Sequence, residues 1–182
     1  IMDKDRFIKR VSQLMLQNKC DLFVGSGISC ASNVPSWFNF LKPLALDIGL
    51  KLCEYDNLPL IAQYIVNDNS GNKNIIRSSL VETFDKNYSI NENHVALSRM
   101  NVNTVWTTNY DCLLEKTFQD RIPHVITSDM DLGKPKKDRL MIIKIHGGVN
   151  GDIDQIVLTQ DDYDNFVFKK RAIVQRLRAS LL

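Results

Sequence analysis

The fold is decided by residues 20–37, which read Cys-Asp-Leu-Phe-Val-Gly-Ser-Gly-Ile-Ser-Cys-Ala-Ser-Asn-Val-Pro-Ser-Trp. The apolar run at 22–24 predicts a buried strand, and the chain then breaks into a Gly-x-Gly turn. A strand that passes directly into Gly-x-Gly is typical of the first strand-to-helix turn of a nucleotide-binding fold. Gly25 can make the tight turn because glycine tolerates a positive φ, and Gly27 has no Cβ to keep a pyrophosphate away from the backbone. The serines of the turn add hydroxyl donors.

The turn alone does not identify a ligand, because Gly-x-Gly also occurs as a sharp turn that binds nothing. The third glycine of the dehydrogenase fingerprint is replaced by Cys30. Asp47 lies at about the distance expected of the ribose-binding acid, but it falls in a helical pattern. The stretch is therefore a poor match to a nicotinamide dehydrogenase, and its meaning depends on the rest of the chain.

Length and composition predict one globular domain over residues 1–182. The formal net charge of +2 says little about partners, but the sequence has no basic stripe of the kind that binds nucleic acid, so no nucleic-acid partner is expected. The four cysteines and three histidines are scattered without Cys-x-x-Cys spacing, so neither a metal site nor a disulfide framework is expected. No signal peptide or membrane-length apolar run opens the chain, and the sequence therefore predicts a cytoplasmic protein without membrane contact.

Strand-like and helix-like patterns alternate along the chain. Short runs of β-branched and apolar residues predict strands at 22–24, 102–107, 122–127 and 139–145, with an extended segment at 156–159. Helical spacing and cap signals predict helices at 3–18, 37–49, 57–68, 73–86, 93–100, near 113–118 and from Thr159, as N-cap, to the end. The apolar stripe of the first helix is predicted to be core. The alternation predicts an α/β protein with a Rossmann-like parallel sheet and helices on both faces.

Polar side chains follow three of the predicted strands. They lie at 25–29, at 108–111 and at 146–147. Because ligands bind beyond the carboxyl ends of strands in open α/β sheets, these segments are expected to form one site. Each has a simpler alternative, since Asn109 and Asp111 can cap the next helix and His146 can be a satisfied residue at a strand end.

At this point the chain resembles the sirtuins. Four motifs carry the resemblance in its proper order: Gly-Ser-Gly-Ile-Ser at 25–29, Asn-Val-Pro at 33–35, Thr-Thr-Asn-Tyr-Asp at 107–111 and Lys-Ile-His-Gly at 144–147. The segments at 110–111 and 159–163 are similar to the sirtuin-like NADases of bacterial anti-phage defence. The resemblance covers the chain from residue 20 to about residue 165.

The chain also departs from the protein-deacylating sirtuins. It lacks the two cysteine pairs of their zinc ribbon, so no zinc is expected. Ser36, Trp37 and Phe38 replace their Asp-Phe-Arg, and Thr108 replaces their Gln. The family's later strand, which holds the adenosine half of NAD, does not appear before residue 182, so the domain is expected to be incomplete at its C-terminus.

The resemblance implies that NAD⁺ is the substrate and that no cofactor is required. The expected reaction is hydrolysis of the nicotinamide–ribose bond to nicotinamide and ADP-ribose. His146 would be the general base, Asn109 would orient the ribose or the water, and Asp111 would bind the nicotinamide carboxamide. The remaining expected NAD-binding residues are Gly25, Ser26, Gly27, Ser29 and Thr108.

Two other functions stay open from the sequence. One is a non-catalytic module that binds a nucleotide or ADP-ribose, and the other is an NAD-dependent protein deacylase, which the absent zinc ribbon argues against. The resemblance further implies a homo-oligomer and a cyclic ADP-ribose-type signal acting through a domain outside these residues. The lysine-rich loop at 134–137 is expected to be a solvated surface loop, with contact to an extra phosphate of NADP as its alternative.

Overall fold

A computed structural model describes residues 3–133 and 139–181, so the lysine-rich loop at 134–137 lies outside the described residues. The strands are β1 (Leu22–Val24), β2 (Thr104–Thr107), β3 (His124–Ile126) and β4 (Met141–Lys144). The helices are α1 (Lys4–Leu16), α2 (Gly27–Cys30), α3 (Trp37–Asp47), α4 (Leu58–Asp68), α5 (Asn74–Phe84), α6 (Glu92–Ser98), α7 (Leu113–Thr117), α8 (Gln160–Asp164), α9 (Phe166–Lys169) and α10 (Arg171–Ser180). Among these described helices, none has the length and apolar character needed to cross a membrane.

The strands of the described residues form one parallel sheet in the order β1-β2-β4-β3. Trp106 of β2 is in register with Phe23 of β1 on one side and with Ile143 of β4 on the other. All carboxyl ends therefore meet at one edge of the sheet. This arrangement confirms the predicted Rossmann-like α/β fold.

Successive residues of the central strands serve opposite faces, as strand geometry requires. Val105 and Ile142 pack with Leu114 and Phe118 on one face. Their neighbours in the strands, Trp106 and Ile143, pack on the other face with Ile173 of α10. Helices thus cover both faces, as predicted.

A third apolar cluster lies beyond the carboxyl edge of the sheet. Helices α3, α4 and α5 pack there against Tyr110, Ile156 and Leu158, which follow the ends of β2 and β4. This cluster builds one wall over the strand ends where polar residues were expected.

The first helix has the predicted position, but its predicted burial is wrong. Phe7 and Ile8 are about half exposed, and none of its residues is buried. Met15, near its end, packs on the cluster around Val105. Amphipathic spacing shows that a helix has an apolar face but not what covers it.

The C-terminal part forms three helices where one was predicted. Thr159 is the expected N-cap of α8, and it shares a reciprocal capping box with Asp162. The chain then turns at Asn165 and again at Lys170. The last helix, α10, has its own cap, because the Asp129 carboxylate accepts hydrogen bonds from the backbone N–H groups of Ala172 and Ile173. That cap comes from a residue more than forty positions away, which local patterns do not reveal.

The predicted strand at 122–127 begins two residues late, because Ile122 has a left-handed conformation with φ +46°. A β-branched residue is strained there, and this one is 61% exposed, so its side chain loses little by replacement. We expect Ile122→Asn to raise the free energy of unfolding by about 1 kcal/mol, since asparagine tolerates this conformation. Urea denaturation measures the change. Ile75→Asn, in the right-handed backbone of α5, is the control that should not stabilise; an unchanged midpoint for Ile122→Asn would contradict the prediction.

Candidate active site

The polar strand ends border a common cavity of about 250 Å³ at the carboxyl edge of the sheet. Six of the predicted site residues line it: Ser26, Ser29, Thr108, Asn109, Asp111 and His146. Apolar and aromatic side chains complete the wall, namely Val34, Pro35, Trp37, Leu58, Pro59, Phe84, Tyr110 and Tyr163. A largely apolar cleft with a few convergent polar groups is typical of a small-molecule site.

Asn109 is 4% exposed and its orientation is set by its neighbours. Its side-chain Nδ2 donates to the carbonyl oxygen of Gly25 at 3.3 Å and to the hydroxyl of Ser29 at 3.0 Å. A carbonyl can only accept, so Nδ2 must face Gly25, and Oδ1 must face away from it. That Oδ1 is buried and has no hydrogen-bond partner among the described residues. The helix-cap alternative therefore does not describe the Asn109 side chain.

His146 follows β4 and lies against aromatic rings. Tyr163 and Phe166 meet its imidazole edge to face, with centroids 5.2 and 6.0 Å away, and Tyr110 lies 6.5 Å away. The next residue, Gly147, has φ +82°, and a Cβ there would lie 3.2 Å from the Ile156 backbone. Any other residue would be strained in this turn, which sends the chain back so that Val157 N–H donates to the His146 carbonyl.

The surroundings of His146 keep its ring neutral. Burial and, to a smaller extent, the positive charge of Lys170 together lower the pKa of His146 from 6.5 to about 4. The imidazole is therefore unprotonated at neutral pH and can accept a proton. Among the described residues, His146 is the only imidazole in the cavity wall, and aromatic rings surround it.

The Asp111 side chain bonds the backbone of the following turn and also borders the cavity. Its Oδ1 accepts a hydrogen bond from the backbone N–H of Leu113 at 3.0 Å, which is the turn that opens α7. The side chain also borders the cavity while remaining 4% exposed. The simpler alternative, a role in opening the next helix, thus applies to Asp111, and its side chain also lies at the predicted site.

The glycine turn differs from its predicted geometry. Gly25 has no positive φ, so the turn does not need glycine for that reason. A Cβ at either Gly25 or Gly27 would meet no atom within 4 Å. Neither glycine is part of the cavity wall; both lie exposed beside it. Because the space above the turn is open, the remaining reason for glycine at these two positions is that a ligand can come close to the backbone.

Tyr163 is a cavity residue that the sequence analysis did not place in the site. It follows Asp162, whose carboxylate accepts hydrogen bonds from Lys73 at 2.8 Å and Lys169 at 3.1 Å. These contacts and the capping box hold α8 so that the Tyr163 ring lies on His146. The cap signal at Thr159 predicted where this helix begins, but no local pattern indicates that the helix packs against the strand ends.

Trp37 and Tyr110 form an aromatic wall of the cavity. Their ring centroids lie 5.4 Å apart, and the Tyr110 hydroxyl donates to the Val157 carbonyl at 2.7 Å. Trp37 packs on the core cluster and lines the cavity as well. Residues 3–133 and 139–181 contain no group of three or more His, Cys, Asp or Glu placed to hold a metal ion.

Comparison with known proteins gives a family match for part of the chain. Residues 103–182 match the SIR2-like domain family. This part of the chain is therefore similar to SIR2-like domains, and the predicted resemblance to sirtuins is confirmed.

The chain is also similar to several curated proteins. The chain is 32% identical over 179 residues to the NAD(+) hydrolase ThsA of Bacillus cereus (strain MSX-D12), across 97% of this chain and 37% of that protein. It is 34% identical over 169 residues to the NAD(+) hydrolase ThsA of Enterococcus faecium, across 91% of this chain and 35% of that protein. Defense-associated sirtuin 2 of Bacillus subtilis is 27% identical over 172 residues, across 87% of this chain and 16% of that protein. The chain thus spans little more than a third of the ThsA relatives that it matches.

Proposed function

We propose that this protein hydrolyses NAD⁺ at the nicotinamide–ribose bond, giving nicotinamide and ADP-ribose. The observation that carries the proposal is the buried, unpartnered Oδ1 of Asn109 in a cavity that a neutral His146 also borders. A buried acceptor without a donor is costly unless a ligand or water supplies one. A ribose hydroxyl or the attacking water would be that donor. The relatives named NAD(+) hydrolase support the same substrate.

The chemistry requires little acid catalysis. When the N-glycosidic bond breaks, its electron pair neutralises the cationic nicotinamide, and C1′ of the ribose gains oxocarbenium character. The oxygen of water then bonds to C1′. The proton that this water loses passes to an unprotonated ring nitrogen of His146, which later releases it to solvent. Asn109 Oδ1 orients the water or a ribose hydroxyl during this step.

The rest of the site would bind the dinucleotide. The Asp111 carboxylate accepts hydrogen bonds from the nicotinamide carboxamide, and Thr108 contributes to the same wall. The apolar rings of Trp37, Tyr110 and Tyr163 hold the nicotinamide and exclude bulk water. The pyrophosphate lies over the open turn at 25–29, where Gly25 and Gly27 permit close approach and the hydroxyls of Ser26 and Ser29 face the ligand.

The biological setting follows from the same proposal. The whole protein would be a cytoplasmic homo-oligomer that depletes NAD⁺ in anti-phage defence of the Thoeris type, without zinc. The similarity to ThsA proteins and to a defense-associated sirtuin supports this setting. Because an ungated NADase would kill its host, a cyclic ADP-ribose-type signal would release the activity through a domain outside residues 1–182.

Chromatography of NAD⁺ incubated with the complete protein tests the proposal. We expect equal amounts of nicotinamide and ADP-ribose, formed without an acyl-lysine peptide. Absence of both products, even from concentrated and assembled protein, would contradict hydrolysis. Tight ADP-ribose binding in that case would favour the non-catalytic module.

On the acid side, kcat/KM should begin to fall only at an unusually low pH. Because kcat/KM reports the pKa of the free enzyme's base, it should stay nearly level from pH 7 to 5 and fall near pH 4. As the pH falls, this histidine binds a proton at a higher pH in the unfolded chain than in the native state. The native state therefore loses stability as the pH falls from 6.5 toward 4. Activity and folded fraction are therefore measured together.

Lys170→Met checks the electrostatic part of this prediction. Removing the positive charge should raise the His146 pKa, and the acid limb should move toward neutral pH. If kcat/KM of the unchanged protein already falls near pH 6.5, the expected environment of His146 is contradicted.

A further inference from the structure

Lys144 is a fully buried lysine in the last position of β4. It is 1% exposed and lies between Ile143 and Ile145, in a strand whose other side chains are apolar. Lysine is rarely so deeply buried unless its ammonium group is well bonded. The position would suit an apolar side chain if the strand had only to pack.

The Lys144 ammonium group reaches the loop that follows the neighbouring strand. Its Nζ donates to the backbone carbonyl of Asp111 at 2.6 Å and to that of Tyr110 at 3.2 Å. Its third bond goes to the Glu115 carboxylate in α7 at 2.8 Å. All three donors are thus used, and two of them act on backbone rather than on side chains.

The location of these bonds connects the two halves of the site. The bonded carbonyls directly follow Asn109, while Lys144 itself is two residues before His146. Lys144 is not part of the cavity wall, and among the described residues its Nζ donates no hydrogen bond to a side chain of that wall. Through its side chain, Lys144 acts on the cavity by way of the loop at 109–111.

Gly148 provides a second, independent observation. A Cβ at this position would lie 2.6 Å from Lys144 Cε and 2.7 Å from Nζ. Gly148 has no positive φ, so its backbone does not need glycine. The missing side chain instead leaves the space through which the lysine reaches the loop.

We propose that Lys144 is a positioning residue that holds Asn109 and Asp111 at their working distance from His146, and that Gly148 keeps the space it needs. The inference rests on the proposed NAD⁺ hydrolysis. The alternative is a merely structural ion pair with Glu115, whose loss would lower stability without displacing the loop.

Three variants and two controls separate these alternatives in the complete protein. Lys144→Met removes the ammonium group, Gly148→Ala displaces it while keeping its charge, and the double variant combines both. Lys116→Met is the matched lysine control, because Lys116 bonds Asn87 and the Tyr88 carbonyl outside the cavity. Glu115→Gln weakens the ion pair and leaves both carbonyl bonds in place.

We expect each of the first two variants to lower kcat at least tenfold at temperatures where it is folded, with the affinity for ADP-ribose changed less than threefold. Since both act through one contact, the double variant should be no slower than Lys144→Met, which is the non-additivity expected of coupled sites. Both controls should keep kcat within about twofold, because neither removes the bonds from Lys144 to the Tyr110 and Asp111 carbonyls. Unchanged kcat in folded Gly148→Ala, or additive losses in the double variant, would overturn the proposal.

A readout that needs no turnover completes the test. The side-chain amide resonances of Asn109 should shift in Lys144→Met and Gly148→Ala but not in Lys116→Met. If Lys144→Met does not fold, Gly148→Ala carries the test by itself. If the unchanged protein releases no nicotinamide, the hydrolase assignment fails, while these resonances still decide whether Lys144 positions the loop; unshifted resonances would reject it.

Discussion

His146→Ala should abolish detectable release of nicotinamide while the protein stays folded. A general base commonly contributes about 10²–10⁴-fold to a rate, and no other cavity residue described here offers a neutral imidazole. The fold should survive because the His146 backbone carbonyl, which accepts from Val157 N–H, is kept in alanine. The side chain makes aromatic contacts but no hydrogen bond among the described residues.

Nicotinamide release measures this effect, with circular dichroism to verify folding and ADP-ribose titration to verify an intact cavity. His124→Gln is the matched control, since that histidine lies on β3, where its Nε2 contacts the Asp131 carbonyl. It should keep near-normal turnover. Turnover of the His146→Ala variant at the rate of the unchanged protein would remove His146 from the mechanism, whatever its position in the cavity.

Asn109→Ala should be nearly as damaging, with a loss of about 10²–10³-fold in kcat, the size typical of removing one preorganised polar group. Alanine deletes the Oδ1 acceptor that faces the cavity and leaves the Gly25 carbonyl and the Ser29 hydroxyl without their donor. The glycine turn thereby loses its link to the end of β2. Both the reacting centre and the expected pyrophosphate site should suffer.

Asn109→Asp separates these two effects. Aspartate keeps an oxygen toward the cavity but presents a second oxygen, without a proton, to the Gly25 carbonyl. The repulsion should turn the side chain, so we expect a loss similar to that of alanine. Ser29→Ala removes one of the two bonds and should cost less. Single-turnover kinetics measure all three variants against Asn101→Ala, whose amide bonds the Met15 carbonyl outside the cavity. Near-normal rates for Asn109→Asp would show that its orientation is unimportant.

The sequence predicted much of this site because the relevant signals are local. Strands that end in Gly-x-Gly, Thr-Asn and His-Gly are short patterns, and parallel pairing brings such ends to one edge of the sheet. The cavity accordingly contains Asn109, Asp111 and His146 together. Tyr163 could not be placed in the same way. Its ring reaches His146 through a helix held by Lys73, a residue 89 positions from Asp162.

Strand and helix types, the Thr159 cap and the parallel fold can be read from residue order, because backbone preferences and apolar periodicity act over a few residues. Contacts between distant segments decided the rest. Periodicity predicted a buried face for α1, yet Phe7 and Ile8 remain half exposed because no described element covers them. The His146 pKa and the burial of Lys144 likewise depend on which groups the folded chain brings near, since desolvation and hydrogen bonding are properties of three-dimensional surroundings.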